Sequence, residues 1–325
     1  MSTLSSLGEF GLIRRLTQNV HPGEGVLTGI GDDCAVLRLG DRQLLVTCDA
    51  SIEDVHFRRA LAAPEAIGWK SAASALSDIA AMGGQPRFVL ITLACPAETD
   101  LGFLEGVYRG MADAVAHCGA VIVGGDTTQS PSGLVIDVTV IGEPTGSRHL
   151  LRCGACEGDY LAVTGHPGCS AAGLLALERH IDAPSLVPAH LHPIPRIAEG
   201  QWLAEQHPVH AAIDLSDGLL QDAGHLADAS GLGLDLDSRM LPLDPALTAF
   251  CAAQNVNALD LALNGGEEYE LILALRPDEA AAIATAFTHR FQVPLALIGR
   301  FTSHGSGLRM DGAPIQPLGF NHFRG

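Results

Sequence analysis

Apolar residues fall into short runs and helical stripes, separated by glycine-bearing acidic turns. Arg42 to Cys48 (RQLLVTC) is a run of strand formers that ends at Asp49. From Pro64 to Met82 the spacing becomes helical. Pro64 suits a first turn, Trp69, Ala72, Leu76 and Ile79 lie near one stripe, and Gly83-Gly84 stops the pattern. Arg87 to Cys95 reads as a strand and Asp100 to His117 as a second amphipathic helix. Ala120 to Val123 is a strand running into Gly124-Gly125-Asp126-Thr127-Thr128, and Gly133 to Gly142 alternates as a strand that closes this half near residue 145.

Thr145 to Arg148 and the CGACEGD turn make a linker. Beyond it, strands are expected at Tyr160 to Thr164, Ala211 to Asp214, Glu268 to Leu275 and Pro294 to Ile298. Helices are expected at Cys169 to His180 and Ile194 to Gln206, and another follows IDLSDGLL, capped by Ser216 and Asp217. The expected fold class is α/β (α+β) in both halves, with domains at 1–145 and 146–325 and no sequence repeat between them.

Composition narrows the function. Hydrophobic residues are 47% and charged ones 17% of the 325, which suits a well-buried enzyme. No apolar stretch approaches the ~18 residues needed to span a bilayer, and no signal-peptide h-region opens the chain, so a cytoplasmic protein is expected. Asp and Glu number 37 against 19 Lys and Arg, a formal charge of −18, which argues against a nucleic-acid groove. A small phosphorylated ligand stays possible, because a bound divalent cation reverses the local sign. The eight cysteines do not read as a disulfide framework, and most are expected to be buried thiols. Cys153-Gly-Ala-Cys156 is a lone CxxC with no second pair to complete a zinc site.

The chemistry sits in the turns: GIGDD at Gly29 to Asp33, GGDTT at Gly124 to Thr128 and IDLSDGLL at Ile213 to Leu220. Glycine permits close backbone approach and aspartate holds hard cations. Any one of these is ordinarily a turn; three in one chain point to a carboxylate-rich site built by several loops. Thr47-Cys48-Asp49, at the end of its strand, occupies a position where α/β sites tend to lie. Asp78 stands on a helix otherwise made of small and apolar residues, where an unpaired carboxylate is costly. Gly265-Gly266-Glu267-Glu268-Tyr269-Glu270 concentrates three acids, some expected in solvent. Lys70 is the sole lysine and follows no glycine, so the GxxxxGK[ST] phosphate loop is absent, as are HRD, DFG, GxSxG and HExxH. Asp235-Leu-Asp237 opens like a calcium loop but lacks its central glycine.

In order, GIGDDCAV, the strand ending at Asp49, LSDIAAMGG, GGDTT, IDLSDGLL and GGEEYEL closely resemble the bacterial thiamine-monophosphate kinases. The likeness runs from Gly8-Glu9-Phe10 to Gly319-Phe320-Asn321-His322-Phe323. It implies two α/β domains of the aminoimidazole ribonucleotide synthetase-like type, a homodimer formed by the N-terminal domains, and transfer of phosphate from ATP to thiamine monophosphate with several Mg2+ ions. By motif, the resemblance assigns metal to Asp33, Asp49, Asp78, Asp126 and Asp214, a further ion to Asp217, and positions beside the metals to Thr47 and Cys48. Cys48 stands where the family usually has a hydroxyl, a harmless change if only its carbonyl binds. Gly125, Asp126, Arg152 and Ser216 correspond to ATP contacts, and His56, Glu267 and Phe320 to the thiamine phosphate site, whose pocket is expected to use an aromatic face and a carboxylate rather than a lysine. No side-chain nucleophile is implied, since attacker and leaving group are both phosphate oxygens. Two alternatives remain: another ATP-dependent enzyme of the superfamily with a different acceptor, or a non-catalytic nucleotide-binding regulator.

Overall fold

Two sheets, one from each half of the chain, share one buried helix. The structure is a computed structural model describing residues 4–146, 148–303, 305, 307–320 and 322. Ser147 of the expected linker and Asn321 and Phe323 of the C-terminal match lie outside the described residues.

The first half runs α1 (Leu4–Thr17), β1 (Val26–Thr28), β2 (Ala35–Leu39), β3 (Arg42–Ile52), α2 (Pro64–Ala81), β4 (Gly84–Cys95), α3 (Leu101–His117), β5 (Val121–Gln129) and β6 (Val135–Pro144). Its six strands are ordered β1-β2-β3-β6-β4-β5, antiparallel except for β4 beside β5. The second half begins with β7 (Tyr160–Thr164), α4 (Cys169–Glu178), α5 (Val187–Leu191), α6 (Ile197–Glu205), β8 (Val209–Asp214), α7 (Leu219–Ala229) and β9 (Gly233–Leu236). After a 3-10 turn at Ser238–Met240 come α8 (Pro245–Gln254), α9 (Ala258–Asn264), β10 (Leu271–Leu275), α10 (Ala280–Phe291), β11 (Leu295–Thr302), β12 (Leu308–Met310) and β13 (Ala313–Pro314). This sheet is ordered β13-β12-β9-β11-β7-β10-β8 and only β9 and β12 run parallel.

Mostly antiparallel sheets correct one inference. The rule that ligands sit beyond the carboxyl ends of parallel strands has no purchase on β3, which continues past Cys48 so that Asp49 is mid-strand, opposite Val138. Likewise GGDTT is no turn, because β5 runs through it beside β4. Gly125 has φ 152°, and a Cβ there would lie 1.7 Å from the carbonyl oxygen of Ile91, so strand packing alone demands glycine.

Helix α2 is buried along nearly its whole length, with Ala, Ser and Gly letting neighbours approach on every side. A Cβ at Gly68 would lie 1.8 Å from the Val107 carbonyl oxygen of α3, one at Gly110 1.9 Å from that of Glu65, and one at Gly200 of α6 2.0 Å from that of Ala80. These glycines bring the helices into backbone contact. One apolar core runs through α2 from Val138 and Val140 of β6 to Ala212 of β8 and Leu273 of β10, so both halves bury surface against the same helix.

Candidate active site

Helix α2 carries a polar stripe on its buried surface. Lys70, Ser74, Ser77 and Asp78 follow one another at helical spacing and each faces another element. Asp78 Oδ2 accepts from Thr47 Oγ1 of β3 at 2.5 Å. Ser77 Oγ donates to Asp214 Oδ2, at the end of β8, at 2.8 Å. Ser74 lines the same cleft as Asp49 of β3, and Lys70 Nζ is 2.6 Å from Glu267 Oε1. Strand alternation puts Thr47 and Asp49 on the helix side of β3 and Cys48 on the other, where its Sγ lies 3.1 Å from Asp137 Oδ2. Cys48 can therefore offer the cluster its carbonyl but not its thiol.

Asp33, Asp78 and Asp214 bring carboxylate oxygens within 4.8 Å of one another. Burial and the mutual repulsion of these acids hold Asp78 well above the ordinary carboxylate range and push Asp214 up to about 8. Asp49 is raised by burial, and Asp32 is pushed up to about 6 by burial and by Asp33. Asp33 Oδ1 accepts from Arg152 Nη2 at 2.6 Å, while its Oδ2 is buried with no hydrogen-bond partner among the described residues. An all-oxygen donor set, too closely spaced to be fully ionised alone and with one orphaned oxygen, fits a hard divalent cation such as magnesium.

The loop after β8 is closed from inside the next helix. Buried Asp222 of α7 accepts from the backbone N–H groups of Ser216, Asp217 and Gly218 at 3.0 to 3.1 Å. Ser216 and Asp217 therefore do not cap α7 as expected; Gly218, with φ 129°, is the N-cap residue, and Asp222 ties down the amides that lead into it. Asp217 Oδ2 instead accepts from Gln221, and burial pushes its carboxyl up to about 6.

Asp49, His56, Lys70, Ser74, Glu267 and Tyr269 line a cleft with about 290 Å³ of open space. A neighbouring, more apolar hollow continues past His56, Lys70 and Glu267 to Leu174, Leu177 and His190. His56 Nδ1 accepts from the Ile52 amide at 3.0 Å, and burial lowers the imidazole's pKa. The neutral ring must then carry its proton on Nε2. His190 is pushed down to about 4 by burial and by Lys70; its Nε2 accepts from Lys70 at 3.2 Å, so Nδ1 carries the proton toward Ser170 Oγ. Glu267 and Tyr269 have φ of 61° and 52°, strain held by bonds from their amides to the Ser216 and Leu215 carbonyls. The Phe320 amide donates to the Asp217 carbonyl at 3.0 Å, and its ring lies 6.4 Å from that of His56.

The structure thus gathers Asp33, Thr47, Asp49, Asp78 and Asp214 with His56 and Glu267, sets Arg152 against Asp33, and brings Ser216, Asp217 and Phe320 to one edge. It leaves Gly125 and Asp126 exposed on β5, with the Asp126 carboxylate accepting from the Thr127 amide. Two expectations fail. A lysine does line the pocket, and none of the three glutamates is a solvated surface group: Glu268 accepts from the Gly168 and Ser170 amides at the start of α4, and Glu270 pairs with Arg196. Lys70, Ser74, Ser77 and Asp222 join the site although no sequence motif marks them. A polar stripe on an otherwise apolar helix was the available signal for the first three.

The fold and acid cluster define a class. Models of the AIR synthase related proteins match residues 31–143 with their N-terminal domain and 157–311 with their C-terminal domain. The thiamine-monophosphate kinase of Escherichia coli K12 is 37% identical over 97% of this chain and 98% of its own, and that of Bacillus subtilis is 33% identical over 98% and 100%. The chain belongs to the thiamine-monophosphate kinase family and is an enzyme of that family. Among solved structures, AaThiL complexed with AMPPCP and TMP superimposes with a TM-score of 0.86 at 33% identity, covering 99% of both chains. E. coli HypE, a hydrogenase maturation protein, shares the fold alone, with a TM-score of 0.68 at 24% identity.

Proposed function

We propose that this chain transfers the terminal phosphoryl group of ATP to thiamine monophosphate, yielding thiamine diphosphate and ADP as the last step of thiamine diphosphate biosynthesis. The observation that carries the reading is the close-set carboxylate triad of Asp33, Asp78 and Asp214 beside the Glu267–Lys70 cleft. The relative bound to AMPPCP and TMP supports the same pair of substrates.

Asp33, Asp49, Asp78 and Asp214 would hold magnesium ions, with Thr47 and the Cys48 carbonyl beside them and Asp126 and Asp217 binding further ions. Bound magnesium neutralises the phosphate oxygens that meet in one pocket. An oxygen of the acceptor phosphate bonds to the terminal phosphorus while the bond to the bridging oxygen of ATP breaks, and that oxygen leaves with ADP. No side chain needs to give up a proton. Arg152, Gly125 and Ser216 would bind ATP. The His56 Nε2–H can donate to the acceptor phosphate, while Phe320 offers a face to the cationic acceptor and the Lys70-paired Glu267 a carboxylate.

The chain divides its work between residues 1–145, carrying metal, nucleotide and dimer contacts, and 146–325, completing the site. A cytoplasmic homodimer is part of the proposal. Phe88, Val121 and Val123 are each about half exposed at the β4–β5 edge of the first sheet, an apolar surface suited to a second copy. Incubation with ATP, magnesium and thiamine monophosphate, followed by chromatography, should yield thiamine diphosphate. ATP binding without turnover would make the chain a regulator, and turnover only with another acceptor would make it a different enzyme of the superfamily.

A further inference from the structure

At the far end of β8 from Asp214 the fold assembles a second group of ligating side chains. Cys156, Asp159 and His210 present a thiol, a carboxylate and an imidazole whose ligand atoms all lie within 4.8 Å of one another. His210 and Asp214 are four residues apart on β8, about 13 Å of strand, so this group stands apart from the acidic cluster. Cys156 of the CxxC lacked partners only along the sequence; folding sets an imidazole and a carboxylate beside it.

The arrangement is organised before any ligand arrives. Asp159 is buried, and its Oδ2 accepts from the Cys156 amide at 2.8 Å and lies 2.7 Å from His210 Nδ1. One carboxylate thereby fixes the cysteine's backbone and the imidazole's orientation. Gly154, with φ 119°, brings the loop onto β8, where a Cβ would lie 2.7 Å from the His210 carbonyl oxygen. Cys156 itself is exposed and uncrosslinked, and so is Cys153 on the same loop.

We propose that Cys156, Asp159 and His210 form a binding site for a thiophilic divalent cation of the zinc class, with water as fourth donor. Sulfur and imidazole nitrogen select such a cation over magnesium, which the all-oxygen cluster takes. Binding releases the thiol proton of Cys156 to solvent, leaving a thiolate on the metal.

Cobalt(II) is the spectroscopic probe and zinc the competitor, each added to reduced full-length protein in saturating magnesium. We expect one equivalent of cobalt to produce a thiolate-to-cobalt charge-transfer band that zinc abolishes. Cys156→Ser should remove the band, and His210→Ala should weaken cobalt binding about 10- to 100-fold. Zinc should raise the thermal midpoint of the wild type but not of Cys156→Ser, whose exposed site leaves the fold intact by circular dichroism. Absence of the band, or a band unchanged in Cys156→Ser, overturns the site.

Discussion

Arg152 grips Asp33 through Nε at 3.1 Å and Nη2 at 2.6 Å, both to Oδ1, while the Arg152 amide approaches Asp32 Oδ2 at 3.2 Å. One residue of the segment between the sheets thus neutralises part of an acid pair from the N-terminal half. It also holds Asp33 so that Oδ2 has no hydrogen-bond partner among the described residues. Arg152→Ala should therefore lower stability as well as turnover. Removing one member of a buried pair costs about 3 kcal/mol. Urea unfolding should register that loss without magnesium and a smaller one with it. Equal losses in both conditions would mean that Asp33 holds no cation.

The acidic cluster makes stability depend on pH. Asp214 rises from 3.8 to about 8 and Glu268 from 4.5 to about 8, chiefly through burial. Between those limits the folded chain binds more protons than the unfolded one, so stability is greatest below the lower values and falls as pH rises through 8. In chelator, the thermal midpoint should drop by about 5 °C or more from pH 5 to pH 9. Magnesium should flatten the Asp214 part of this slope. A midpoint that climbs over that range would refute the assignment.

Asp78→Asn should separate stability from activity. The change removes a charge repelled by Asp214 and Asp33 while keeping a partner for Thr47. The chelated protein should be at least as stable as wild type at pH 8, while turnover falls by about 100-fold or more. Asp49→Asn should behave alike, and an equal rate in either variant would remove that residue from the site.

For the acceptor, Lys70→Met and Phe320→Ala should raise the KM for thiamine monophosphate and leave that for ATP nearly unchanged. Lys70 holds Glu267 from the buried side, and Phe320 reaches His56 from the C-terminal segment. Equal weakening for both substrates would show that these residues only support the fold.

Cys48→Ser should keep near-normal turnover, because the thiol faces Asp137 on the opposite side of β3 from Thr47 and Asp49. A severe loss would place that face of the sheet in the catalytic machinery.

Neighbouring residues alone dictate the local elements and supply the acids. Pro64 and Gly83 bracket α2, alternation marks β6, and the ordered aspartate motifs carry the family likeness. These are properties of neighbouring residues, and periodicity reads them directly. Three-dimensional packing is what carries β3 past Asp49, runs β5 through GGDTT, and sets Asp222 rather than Ser216 or Asp217 to close the loop before α7. Strand length follows from pairing with β4 and β6, which no local pattern encodes. The same holds for the partners of Lys70 and Cys156: Glu267 is 197 positions from the first, and His210 is 54 from the second. Long-range packing of apolar surface brings such pairs together, and their chemistry exists only once that packing has formed.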